Sequence, residues 1–93
     1  MQTLRVIETK QFKKSFKKYQ NNKKVIQELR LVVDLLINKQ SIPIKYRDHE
    51  LTGNYKGIRE LHLKPDDLLL YFILEENNTL TLVNIGSHTN LFD

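Results

Sequence analysis

The run Leu68-Leu69-Leu70-Tyr71-Phe72-Ile73-Leu74 constrains this chain more than any other stretch. Every residue in it is apolar or aromatic, so a strand built from it needs cover on both faces. It has strand length, well short of the ~20 residues that would cross a bilayer. A strand buried on both sides belongs at the centre of a sheet. A chain of 93 residues has room for one modest core around such a strand, so a single domain over residues 1–93 is expected.

The flanks agree with a central strand. Pro65-Asp66-Asp67 before it and Glu76-Asn77-Asn78 after it are turn signals. They separate three strands, expected at residues 57–64, 68–75 and 80–85. Upstream, residues 3–7 form a further short strand with Leu4 and Val6 on one face. Thr9 can cap a helix carrying Phe12, Phe16 and Tyr19 at i, i+4, i+7. Asn21-Asn22 separates it from a second helix over residues 23–39. There Ile26, Leu29, Val33 and Leu36 recur at helical spacing, and Val25, Val32, Leu35 and Ile37 widen the apolar face. So short a link makes the two helices an antiparallel hairpin. Pro43 closes the second helix, and residues 44–56 read as a long loop with some extended structure. The expected fold is α+β, β-α-α-β-β-β, with the helix hairpin on one face of an antiparallel sheet.

Charge and composition narrow the function. No apolar run spans a membrane and no signal-peptide core opens the chain, so a cytoplasmic protein without a membrane role is expected. There are no cysteines, which excludes disulfides and thiolate zinc sites. The formal net charge is +4, and seven lysines (10, 13, 14, 17, 18, 23, 24) fall between Thr9 and Gln27 without a single carboxylate. Such a field draws polyanions or an acidic protein, although a solvated helix face accounts for a lysine run equally well.

The residues with proton chemistry gather near strand ends. His49 lies in the loop before the sheet, His62 late in the first strand of the meander, Asp66 in the following turn, and His88 just past the last strand. A histidine exchanges protons near neutral pH, but any one of them alone is more often structural. His62 and Asp66 stand four apart, a spacing that suits metal ligands on a helix. Pro65 between them speaks against a helix, and no zinc-type spacing is present, so no metal is expected. Ser87 adjoins His88 without a nucleophile-elbow motif, and there is no phosphate-cradling glycine loop. Proton carriers plus cations, without metal or nucleophile, suit RNA cleavage. The substrate's own 2′-hydroxyl attacks, and the protein moves two protons and stabilises the phosphorane. Arg59, Arg47 or lysines could supply the positive charge.

The motifs Tyr46-Arg47-Asp48-His49, Leu51-x-Gly53-x-Tyr55-x-Gly57, Arg59-Glu60-x-His62, Pro65-Asp66-x-Leu68-Leu69-Leu70-Tyr71 and Gly86-Ser87-His88-x-x-Leu91-Phe92 stand in order along the chain. Together they closely resemble the YafQ-type toxins of the RelE superfamily, the toxin halves of bacterial type II toxin–antitoxin systems. The resemblance covers nearly the whole chain. It implies the compact RelE-like fold and metal-independent cleavage of mRNA in the ribosomal decoding site, leaving a 2′,3′-cyclic phosphate. It also implies a cognate antitoxin, and a complex that binds operator DNA through that antitoxin. The family's functional set falls on His49, His62, Asp66, His88 and Phe92. His88 is then the expected acid to the leaving oxygen, and Asp66 or His49 the base or 2′-hydroxyl orienter. His62 would hold the phosphate or tune its neighbours, and Phe92 would stack on a base. Arg59 and the lysines Lys13, Lys14, Lys17 and Lys18 are the expected RNA contacts. Two positions depart from the family pattern. Asp67 stands where many relatives carry an aromatic, and Asn84 where many carry an arginine.

Overall fold

The computed structural model of the chain describes residues 3–92. Its strands are β1 (Arg5–Glu8), β2 (His49–Glu50), β3 (Arg59–Lys64), β4 (Asp67–Leu74) and β5 (Thr79–Gly86). Its helices are α1 (Lys10–Phe16), α2 (Lys23–Ile37) and α3 (His88–Phe92). The sheet order is β1-β5-β4-β3-β2, so β4, which carries the apolar run, sits at its centre. Leu61, Leu63, Leu69, Tyr71, Leu80, Leu82 and Ile85 face the helices and form the core with Phe12, Val25, Leu29, Val32 and Leu36. Leu68 and Leu70 are equally buried on the other face.

Local chemistry places each helix. Thr9 caps α1 by accepting the Phe12 amide at 2.9 Å, and its own hydroxyl donates to the Val83 carbonyl at 2.7 Å. Asn22 caps α2 through the Val25 amide at 3.2 Å. This helix ends two residues before the expected boundary. Lys39 turns left-handed at φ 56°, and the amides of Lys39 and Gln40 close back on the carbonyls of Leu36 and Leu35. Residues 25, 29, 32 and 36 are the buried stripe, so the helix is rotated slightly from the spacing read in the sequence.

One expectation needs correction, and two segments gain detail. The first strand is Arg5–Glu8 and runs parallel to β5, in an otherwise antiparallel sheet. It lies on the sheet's edge, where Val6 stays 38% exposed and only Leu4, just ahead of it, reaches the core. The extended structure expected within residues 44–56 is strand β2. Two 3₁₀ turns, Ile44–Tyr46 and Gly53–Tyr55, flank strand β2, whose His49 pairs with Glu60 and Glu50 with Arg59. Finally, Ser87 opens a short helix, α3, that folds back on β5. Its Leu91 comes so near Gly86 that a β-carbon there would lie 3.3 Å from Leu91 Cδ2, a close approach that favours glycine. No helix among the described residues is long and apolar enough to cross a membrane.

Candidate active site

The sheet face opposite the helix hairpin carries the histidines. Alternation along β3 puts Leu61 and Leu63 into the core and turns Glu60 and His62 to the other side. Pairing with β2 then sets His49 directly against Glu60. The Glu60 carboxylate is only 6% exposed. Its Oε1 lies 3.6 Å from His49 Nε2 and 3.4 Å from His62 Nε2, and the two ring centroids are 6.5 Å apart. Carbonyl oxygens fix the other edge of each ring. His49 Nδ1 donates to the Arg47 carbonyl at 2.7 Å, and His62 Nδ1 points at the Pro65 carbonyl at 3.4 Å. With both Nδ1 atoms engaged, both Nε2 atoms converge on one carboxylate oxygen. Such a group can hold a proton between an imidazole and a carboxylate, and present it at the surface.

His88 stands on the same side of the molecule by register. His62, Leu68 and Gly86 form one row across β3, β4 and β5, so Gly86 lies about 10 Å from His62 at normal strand spacing. His88 follows two residues later. Its ring and that of Phe92, one helical turn on, are 4.9 Å apart, and Phe92 meets Tyr55 edge-to-face at 5.2 Å. Ser87 is the cap of this turn: its hydroxyl accepts the Asn90 amide at 3.2 Å.

Asp66 is exposed in the β3–β4 turn. Beside it, Asp67 accepts the Tyr19 hydroxyl at 2.8 Å. Burial, reinforced by Asp67, pushes the Tyr19 hydroxyl well above the usual tyrosine range, so it remains a donor. Asn84 shares a row with Leu70 and Glu60. It is 8% exposed, and its side-chain oxygen accepts the neighbouring Ile85 amide at 2.9 Å.

Arg59 is not brought to the histidines. It points to the helix face of β3, where its guanidinium pairs with Asp48 at 3.1 Å and Tyr71 donates to the same carboxylate. Asp48 raises the arginine pKa further, and burial, followed by Asp48, raises that of Tyr71. This cluster fastens the segment before β2 to the sheet. The side chains of Lys13, Lys14, Lys17 and Lys18 are exposed. Lys14 and Lys18 line a cleft of about 210 Å³ with Asn84, Gly86 and Asn90. Two of the four lysines therefore flank α3. Among the described residues no cluster of three or more His, Asp or Glu side chains is arranged to hold a metal ion.

Glu60 is the participant that sequence reasoning passed over. The signal was present: Glu60 and His62 stand two apart in a strand, which places them on one face. Tyr55 was likewise treated only as a motif residue.

Comparison with known proteins identifies the family. Residues 4–93 match the family described as the bacterial toxin of the type II toxin–antitoxin system, YafQ. The mRNA interferase toxin YafQ of Escherichia coli K12 is 35% identical over 83 residues, 88% of each chain. A crystal structure of a metal-bound toxin from Helicobacter pylori is 44% identical, with a TM-score of 0.87 over 96% of this chain and 99% of that one. The E. coli DinJ–YafQ complex superposes with a TM-score of 0.83 at 32% identity, over 97% of this chain and 99% of that chain. Fold and sequence agree that this chain belongs to the YafQ family of type II toxin–antitoxin toxins.

Proposed function

We propose that this chain is an mRNA interferase, an endoribonuclease that cleaves ribosome-bound mRNA and so inhibits translation. The observation that carries the reading is the convergence of His49 and His62 on the buried Glu60 oxygen, in a chain 35% identical to an mRNA interferase. In this reading the 2′-hydroxyl of the substrate attacks the adjacent phosphate. His49, with Glu60 behind it, or Asp66 receives that proton. His62 holds the phosphate, and His88 protonates the leaving 5′-oxygen. Phe92, braced by Tyr55, stacks on a base, a contact worth ~1–3 kcal/mol. Lys13, Lys14, Lys17 and Lys18 supply positive charge along the strand. The reaction needs no metal. An antitoxin partner follows from the family and from the DinJ–YafQ complex of the relative. Operator DNA would be reached through that antitoxin.

One observation favours a second reading, a toxin-fold partner in a repressor complex with attenuated cleavage. Asn84 is buried, and its oxygen is committed to a neighbouring amide, where many relatives carry an arginine.

Cleavage of mRNA on programmed ribosomes in EDTA, comparing wild type with His88→Ala, separates the two. The expected result is cuts with cyclic-phosphate 3′ ends that drop at least ~10²-fold in the variant. A folded, ribosome-binding wild type that does not cut would overturn the nuclease reading in favour of the second.

A further inference from the structure

A second cleft opens beside the histidine pair and, apart from His62, is lined by residues that no step above uses. Its volume is about 620 Å³, and it runs between the start of α2, the turn Ile44–Tyr46 and the end of β3. Lys24, Lys45, Arg47 and Lys64 line it, with His62 on the same wall. Its one carboxylate, Glu28, is already engaged. It accepts the Tyr46 hydroxyl at 2.7 Å and lies 3.9 Å from Lys45 Nζ. Lys24, Arg47 and Lys64 have no ion pair among the described residues. Unneutralised cations in one concave space focus a positive field, which favours a chain of phosphates over a single charge.

The backbone ties this cleft to the histidines. Arg47 is left-handed, at φ 52°, a conformation that non-glycine residues rarely adopt. In that conformation its carbonyl accepts the His49 ring proton, while its side chain lines the cleft. His62 belongs to both spaces.

The geometry points to a subsite for the phosphate backbone of single-stranded RNA, holding the nucleotides on one side of the bond addressed by the histidines. The inference rests on the nuclease reading for its substrate, but its own test is binding. The cleft at Lys14 and Lys18 would flank the opposite side, so the strand would cross the sheet face between two cationic clefts.

The test uses the full chain and a short oligoribonucleotide carrying 2′-O-methyl groups, which cannot be cut. Affinity is measured from low to moderate salt for wild type and for Lys24→Gln/Lys45→Gln/Lys64→Gln, with circular dichroism confirming the fold. The expected result is at least tenfold weaker binding at low salt and a log–log salt slope shallower by roughly 2, since each phosphate contact on a single strand contributes about 0.7. Affinity and slope equal to wild type in the folded variant would overturn the subsite, as would a wild type without salt-dependent binding. Unchanged RNA binding with weakened antitoxin binding would overturn it too, and would reassign the cleft to an acidic protein segment. The two readings fail separately. RNA held in the cleft by a protein that cuts nothing would sink the nuclease alone. Cutting with unchanged RNA binding in the variant would sink the subsite alone.

Discussion

Glu60 shows how much a single side chain can organise. A buried carboxylate is costly unless it is paired, and here two imidazoles share one of its oxygens. Removing the charge while keeping the shape releases both rings from a common reference. Glu60→Gln is therefore expected to lower cleavage at least ~tenfold and to alter the pH profile, with the thermal midpoint nearly unchanged. Single-turnover cleavage across pH, alongside thermal denaturation, checks this; a wild-type profile would remove Glu60 from the site. The histidines themselves were legible in the sequence because their residue type announces proton chemistry. Glu60 was not, since glutamate is common on surfaces, and only the pairing of β2 with β3 shows that it is buried between them. Arg59 is the converse case, since strand alternation already sets it opposite His62. Its charge suggested phosphate, but strand parity sends it to Asp48 on the other face.

At the level of elements, most boundaries followed from caps and turns. Thr9, Asn22, the Pro65 turn and the apolar run of β4 each carry a local signal strong enough to survive tertiary packing. What escaped were pieces too short to have a period of their own. Strand β2 is two residues and α3 is five, and each is held by the strand it packs against. The parallel pairing of β1 is likewise a property of the assembled sheet. Thr9 joins two of these elements, capping α1 and donating to Val83 beyond the end of the β1–β5 ladder. Thr9→Val keeps the volume and removes both bonds, so a loss of about 1–3 kcal/mol is expected in urea denaturation. A change within a few tenths would mean that neither bond matters to the fold.

Across the whole molecule, three tyrosine–carboxylate clasps tie distant parts together. Tyr19 reaches Asp67, Tyr46 reaches Glu28 and Tyr71 reaches Asp48. All three hydroxyls have raised pKa values; burial, then Glu28, pushes Tyr46 up to about 12. A raised folded-state pKa gives stability that is complete below the unfolded tyrosine value of about 10 and is lost as pH climbs through the folded value. The fold should therefore keep its stability from neutrality to about pH 10, then weaken steeply toward pH 12 and above. Tyr46→Phe should be less stable at neutral pH and show a shallower alkaline decline. Denaturation midpoints followed with tyrosinate absorbance measure this, and parallel curves for the two proteins would discount the clasp.

The left-handed turn at Arg47 has a consequence for how this surface can change over generations. Glycine would sit in that conformation without strain, and a single base change turns many arginine codons into glycine codons. A lineage in which the guanidinium did nothing would gain stability by that step and would drift toward it. Arginine at this position is then a marker of use: where selection on the cleft relaxes, position 47 is among the first places where the loss should be written in the sequence.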